Sequence, residues 1–412
     1  MSSEKSIQEI YKSYVATGSV KKFMNDIKAQ GIQENDPRLS QIAELTKERE
    51  QKEKKVDYEN FARRSTPCCG LMKKFSERQF VIPNFEKFTK TIEDLYWRIK
   101  PNTTGKNAAY IPQLASIPDY WGISICTVDG QRFQIGDTGN GFSIQSCCKP
   151  LNYAIACEYL TSDVVHKFIG QEPSGRMFNE MVLDHNNQPH NPMINSGAIA
   201  TASLIYTLID GDQRRSMADK FDMVKTWMER AGGNERFGFN NSIYLSEKEV
   251  ADRNFALGYF MKENKVFPEK TNMLESLDFY FQLCSIETSA ETFSVVASTF
   301  ANGGVCPLTD EKIFSVDTCR DVLSLMHSCG LYDYSGQFSF NVGLPAKSGV
   351  SGVIMLVIPN LAGIVCYSPK LDQHGNSVRG IQFCEELLKT YAIHPYDNLR
   401  HTLARRSIYE DK

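Results

Sequence analysis

The chain has 412 residues, with 46 lysines and arginines against 49 aspartates and glutamates, a formal charge of −3. At 42% hydrophobic and 23% charged it reads as globular, neither mostly disordered nor fibrous, with room for about two to three domains. The near-neutral balance lacks the broad field on which nucleic-acid and anionic-lipid binders depend, so neither partner is expected.

Residues 1–66 read as a small all-helical domain. Short apolar-periodic segments, Ile7-Ile10-Tyr11-Tyr14 and Phe23-Ile27, alternate there with polar turns. It closes in a run from Lys47 to Lys55 in which eight of nine residues are charged, the pattern of a solvated helix face or linker. Glu4 and Glu9, no arginine before Arg38 and no early apolar stretch argue against a targeting segment. Thr66-Pro-Cys-Cys-Gly70 marks a boundary, and 67–109 is expected to be a linker with leading helices, clearest from Phe85 to Ile99.

A catalytic domain is expected over 110–395. It opens with an alternating strand, Trp121 to Val128, an Asp129-Gly130 turn and a second strand, Arg132 to Ile135. A mostly helical stretch then runs from Ser146 to Met326, broken at Gly232-Gly233 and Gly303-Gly304. Lys347 to Lys370 has no charge between its ends and approaches the roughly 20 apolar residues of a membrane span. Pro359-Asn360 splits it, however, so Val353–Ile358 and Leu361–Cys366 are expected as a buried hairpin rather than a span. A helix from Gly380 to Tyr391 and a tail, 396–412, complete an α+β chain whose sheet is assembled from both ends.

Twelve cysteines lack any Cys-x-x-Cys and seven histidines lack metal-ligand spacing, so reduced thiols and no metal are expected. Ser-x-x-Lys, which sets a hydroxyl and an amine on one helical face, occurs at Ser2/Lys5, Ser19/Lys22 and Ser146/Lys149. The third alone follows a flexible Gly136-Asp-Thr-Gly-Asn-Gly141 and opens a helix with an apolar face at Leu151, Ala154, Ile155 and Leu160. Unpaired N–H groups at such a start favour developing negative charge. Lys347-Ser348-Gly349 is either a strand-entry turn or a sheet-edge lysine and hydroxyl beside that nucleophile. With Ser-x-x-Lys it matches penicillin-recognising serine enzymes. Side-chain amides beside tight turns in Pro189–Ala198 and the charges in Ser246–Phe255 argue for a different substrate, although the second segment also fits an ordinary charged helix start; an inactive scaffold is the non-enzyme alternative.

Gln145–Ala154, His190–Ile199, Asp252–Tyr259, Phe279–Ser285 and Leu344–Val350 together resemble the serine-dependent glutaminases of the β-lactamase-like superfamily, in particular the animal mitochondrial kidney and liver type. The resemblance implies a serine β-lactamase-like fold: a mainly antiparallel sheet flanked by helices, with a helical subdomain. It implies glutamine hydrolysis with Ser146 as nucleophile, Lys149 as base, Tyr332 as proton relay, and the backbone N–H groups of Ser146 and Val350 as oxyanion hole. Tyr110, Asn195, Glu247, Asn254 and Tyr280 match substrate-holding positions, and Lys347 falls outside that set. Met181, Val182 and Leu183 match a loop governing activation and tetramer formation. No cofactor, inorganic phosphate as activator, homodimers, homotetramers or filaments, and the mitochondrial matrix are further implications, with the cytosol as the alternative location.

Overall fold

The computed structural model describes residues 3–17, 20–52, 56–175, 180–209, 215–397 and 407–408. Among these, the strands are β1 (Gly122–Thr127), β2 (Arg132–Gly136), β3 (Phe142–Ser143), β4 (Gly238–Phe239), β5 (Ile286–Thr288), β6 (Ala346–Gly349), β7 (Val353–Ile358) and β8 (Ala362–Tyr367). They form a five-stranded sheet ordered β2-β1-β8-β7-β6 and a small sheet ordered β3-β5-β4. Every pairing is antiparallel, and β1 meets β8 from Gly122↔Tyr367 to Thr127↔Ala362. The sheet is therefore assembled from both ends of the chain, as expected.

β7 and β8 are almost wholly apolar because both sheet faces are covered. Val353, Met355 and Val357 face the helical block, while Ile354, Leu356 and Ile358 face the opposite core. On the first side the helix Ala290–Ala301 crosses β1, β7 and β8. Its approach needs Gly363, where a Cβ would come within 2.2 Å of the Ser298 amide nitrogen. On the other side lie the helices Phe85–Ile99 and Val378–Thr390. Phe88, Ile92, Leu95 and Ile99 form the buried stripe of the first, and the Asn84 side chain caps it by accepting from the Lys87 amide.

Two expectations change. Of the two readings of Lys347-Ser348-Gly349 the sheet-edge placement holds and the strand-entry turn does not: the segment belongs to β6, an edge strand in which Lys347 pairs with Met355, so the carboxyl-terminal strands number three and not two. A segment this short and polar carries no legible alternation; pairing with β7 and a hydrogen bond from the Ser348 amide to the Gly330 carbonyl fix it. The stretch Ser146–Met326 is helical only in pieces. From His166 to Ile194 the described chain is irregular, and 176–179 lie outside the described residues.

The amino-terminal helices Ser3–Ile10, Val20–Ala29, Ser40–Lys52, Tyr58–Ser65 and Cys69–Glu77 enclose a separate core around Phe23, Leu39, Ile42 and Phe61. Cys68, Leu71, Met72 and Phe80 belong to the same core. Ser40–Lys52 absorbs much of the charge run, whose residues 53–55 lie outside the described ones, as does most of the tail. This unit grips the β1–β2 turn. Asp129 takes the Val81 amide at 2.5 Å and the Lys74 ammonium, and its carbonyl accepts from Arg38 Nη2 at 3.0 Å. Gln131 Nε2 donates to the carbonyls of Gln30 at 2.8 Å and Ile82 at 3.1 Å. Gly130, at φ +85°, leaves room for the Arg38 guanidinium, which a Cβ would meet at 2.2 Å.

Candidate active site

The small sheet's first strand, β3, delivers the chain into a single turn, Gln145–Cys147, that runs on as the helix Cys148–Leu160. Gln145 sits at φ +48°, a left-handed conformation that costs a non-glycine residue about 1 kcal/mol or more. Half-buried Ser146 thus stands at a helix start, and Lys149 is buried one turn on. The Tyr332 phenol faces the Ser146 hydroxyl and also donates to the Ser348 carbonyl at 3.1 Å. Gly330 puts Tyr332 there: a Cβ at 330 would lie 1.7 Å from the Ala346 carbonyl oxygen, so only glycine lets this segment rest on β6. Tyr332 also lines an open cavity of about 660 Å³ with Glu180, Asn191, Met193 and Ser335.

The Lys149 amine donates to Asn195 Oδ1 at 2.7 Å rather than to Ser146, and Asn195 Nδ2 donates to Asn254 Oδ1 at 3.5 Å. The Lys347 amine donates to the Ser348 carbonyl at 2.8 Å and lies 4.6 Å from the centre of the Tyr332 ring. Burial lowers both lysines. Lys149 falls to about 8, although the neighbouring thiols of Cys284, Cys148 and Cys147 oppose the shift. Lys347 falls to about 7, with the charge of Lys149 adding to the effect of burial. Near neutral pH the site therefore holds an amine able to accept a proton.

Opposite stands Glu247, on the helix Asn241–Glu249 that Asn240 caps through the Ile243 amide. Its Oε1 accepts from the Tyr110 hydroxyl at 2.7 Å and from Gln145 Nε2 at 3.1 Å. Burial raises the Glu247 carboxyl, and these two donors pull it back. Tyr110 is 46% exposed, at the mouth of the site. Tyr280 is buried on the helix Met273–Cys284, and Asn254 lies in the first turn of Asp252–Glu263. Val350 occupies the turn from β6 to β7 and packs against Ile111, Leu114 and Ile243. Met181 is exposed, Val182 half-buried, and Leu183 packs on the main core.

Sequence reasoning passed over Gln145. Its amide adjoins the candidate nucleophile, but its role depends on a carboxylate 102 residues away, which spacing does not disclose. Among the described residues no group of three or more His, Cys, Asp or Glu side chains could hold a metal ion, and no helix is long and apolar enough to cross a membrane.

Residues 105–396 match the family model described as Glutaminase. The chain belongs to the glutaminase family. It is 48% identical over 386 residues to the mitochondrial liver isoform of glutaminase from Mus musculus, covering 93% of this chain and 63% of the mouse protein. To putative glutaminase 2 of Caenorhabditis elegans it is 49% identical, covering 93% of this chain and 65% of that one. The chain thus spans a little under two thirds of these relatives. A solved structure of a probable glutaminase, ybaS, superposes with a TM-score of 0.68 at 30% identity, over 74% of this chain and 96% of that one. The native form of Mglu gives 0.67 at 33% identity, over 72% and 70%. Both superpositions cover the α+β fold of antiparallel sheet and flanking helices described above. Residues 4–83 match the model of an EF-hand domain, a likeness the sequence reading did not find.

Proposed function

We propose that this chain hydrolyses L-glutamine to L-glutamate and ammonia through a serine ester. What carries the reading is the convergence on one site of Ser146, facing Tyr332 beside a buried amine, and of Glu247, already held by Tyr110 and Gln145.

Ser146 Oγ attacks the side-chain amide carbon while neutral Lys149 takes its proton. The oxyanion that forms is met by the backbone N–H groups of Ser146 and Val350. Collapse expels ammonia, its proton coming from Lys149 by way of Tyr332. Water then adds to the ester, Lys149 takes the proton, and glutamate leaves as Ser146 is restored. Glu247 pairs with the substrate's α-ammonium. Asn195, Asn254, Tyr280 and Tyr110 complete the binding set, and the Asn195 amide also holds Lys149 in position. No cofactor enters the scheme. Activation by inorganic phosphate, assembly into dimers, tetramers or filaments, and residence in the mitochondrial matrix belong to the same proposal; the location is supported by relatives named as mitochondrial.

The test is ammonia release from glutamine by the purified chain, with Ser146→Ala beside it. Rapid acid quenching and mass mapping should find a glutamyl ester on Ser146. No ammonia from the unaltered chain would overturn the assignment.

A further inference from the structure

Two thiols that the hydrolytic scheme does not use lie directly behind its base. Cys148 Sγ and Cys284 Sγ are 3.8 Å apart, and both cysteines are free. Cys148 adjoins Lys149 in the first turn of its helix, while Cys284 ends the helix that presents Tyr280 one turn earlier. Cys147 is no competitor, since its thiol contacts the Lys347 carbonyl at 3.3 Å.

We propose that Cys148 and Cys284 are a disulfide-forming pair that, once oxidised by a hydroperoxide, switches the Lys149 site off. A disulfide brings its sulfurs to about 2.05 Å, so the gap closes by less than about 2 Å. That motion is borne by the two backbone segments carrying Lys149 and Tyr280. Displacing a catalytic group by about 1 Å is enough for a loss of roughly 100-fold.

The chemistry balances without a metal. Cys284, 7% exposed where Cys148 is fully buried, is the thiol a small oxidant meets first. Its sulfur attacks the peroxide O–O bond, giving a sulfenic acid and one water. The Cys148 sulfur then displaces hydroxide as a second water. Two thiols thus lose two electrons and two protons, and one hydrogen peroxide becomes two waters. A dithiol reverses the change by exchange. Lys149, Glu247, Tyr280 and Cys148 surround Cys284, and the Cys148 contact together with burial holds its thiol well above the ordinary range.

The switch rests on the hydrolase reading only for its activity readout. The full chain, reduced and then treated with hydrogen peroxide, is assayed for ammonia release and digested without reductant for peptide mapping. Expected are a peptide joining Cys148 to Cys284, a 10- to 100-fold fall in activity that tracks it, and recovery with dithiothreitol. Cys148→Val and Cys284→Ala should keep the reduced activity and resist inactivation. An absent cross-link overturns the proposal, and so does a cross-linked enzyme of full activity or equal inactivation of both variants. No ammonia from the reduced chain overturns the hydrolase reading instead, while the peptide map still decides the disulfide.

Discussion

The two walls of the site treat charge in opposite ways. The wall carrying Ser146, Lys149 and Lys347 buries its cations and thereby lowers both, Lys149 to about 8 and Lys347 to about 7, so that each gives up its proton far more readily than a free lysine. The wall carrying Glu247 also desolvates its anion but sets two neutral donors, from Tyr110 and Gln145, against that burial. In the proposed scheme desolvation readies the first wall to take a proton, and neutral donors keep the second fit to hold an ammonium group. A mutation's consequence should therefore reveal the wall it lies on.

The largest effect belongs to Ser146→Ala, which should lower kcat by about 10⁴-fold or more because nothing remains to form the ester. Thermal unfolding should barely move, since the side chain is small and half-buried. Residual turnover within tenfold of the parent would remove Ser146 from the chemistry. On the opposite wall, Glu247→Gln should spare kcat far more than KM. Losing one partner of a desolvated charge pair costs about 2 to 5 kcal/mol, or roughly 30-fold to several-thousand-fold in KM. If kcat fell while KM held, the division between the walls would be wrong.

The pH profile sharpens the same division. A base must be neutral to accept a proton, and Lys149 lies lowered to about 8, so kcat should rise as pH climbs through about 8 and then level. A profile flat between pH 6.5 and 9.5, a window chosen to bracket that value, would break the link between burial and reactivity. The smallest effect on chemistry should come from Val182→Lys. If dimers join at 181–183, a lysine there is buried without a partner, and sedimentation with and without phosphate should show dimers where the parent forms tetramers. Phosphate activation should weaken too, with the ester at Ser146 still forming. An unchanged tetramer with unchanged activation would free this loop of any role in assembly.

How much of this was readable beforehand follows from where the physical signal resides. Val353–Ile358 and Leu361–Cys366 were legible because these two strands, covered on both faces, are almost wholly apolar, and Asp129-Gly130 because a tight turn needs particular residues. β6 was not, since its four residues owe their form to pairing with β7. The helix start at Ser146 could be placed from glycines and an apolar face. The meeting of Tyr110, Gln145 and Glu247 could not: long-range contacts leave no local trace, so only the likeness to a family put Tyr110 and Glu247 together. Gln145 escaped even that.

The bond between β1 and β8 also orders events during synthesis. β1 emerges early with β2 as its sole partner in the large sheet, and its other edge stays unpaired until β8 has left the ribosome, after the whole helical block. Pairing over such a separation is slow, and an open apolar edge invites association with other chains. The amino-terminal segments that hold Asp129 and Gln131 lie upstream of β1 and are already translated when it appears. They are placed to hold the hairpin as a nascent-chain chaperone would, until the closing strand arrives.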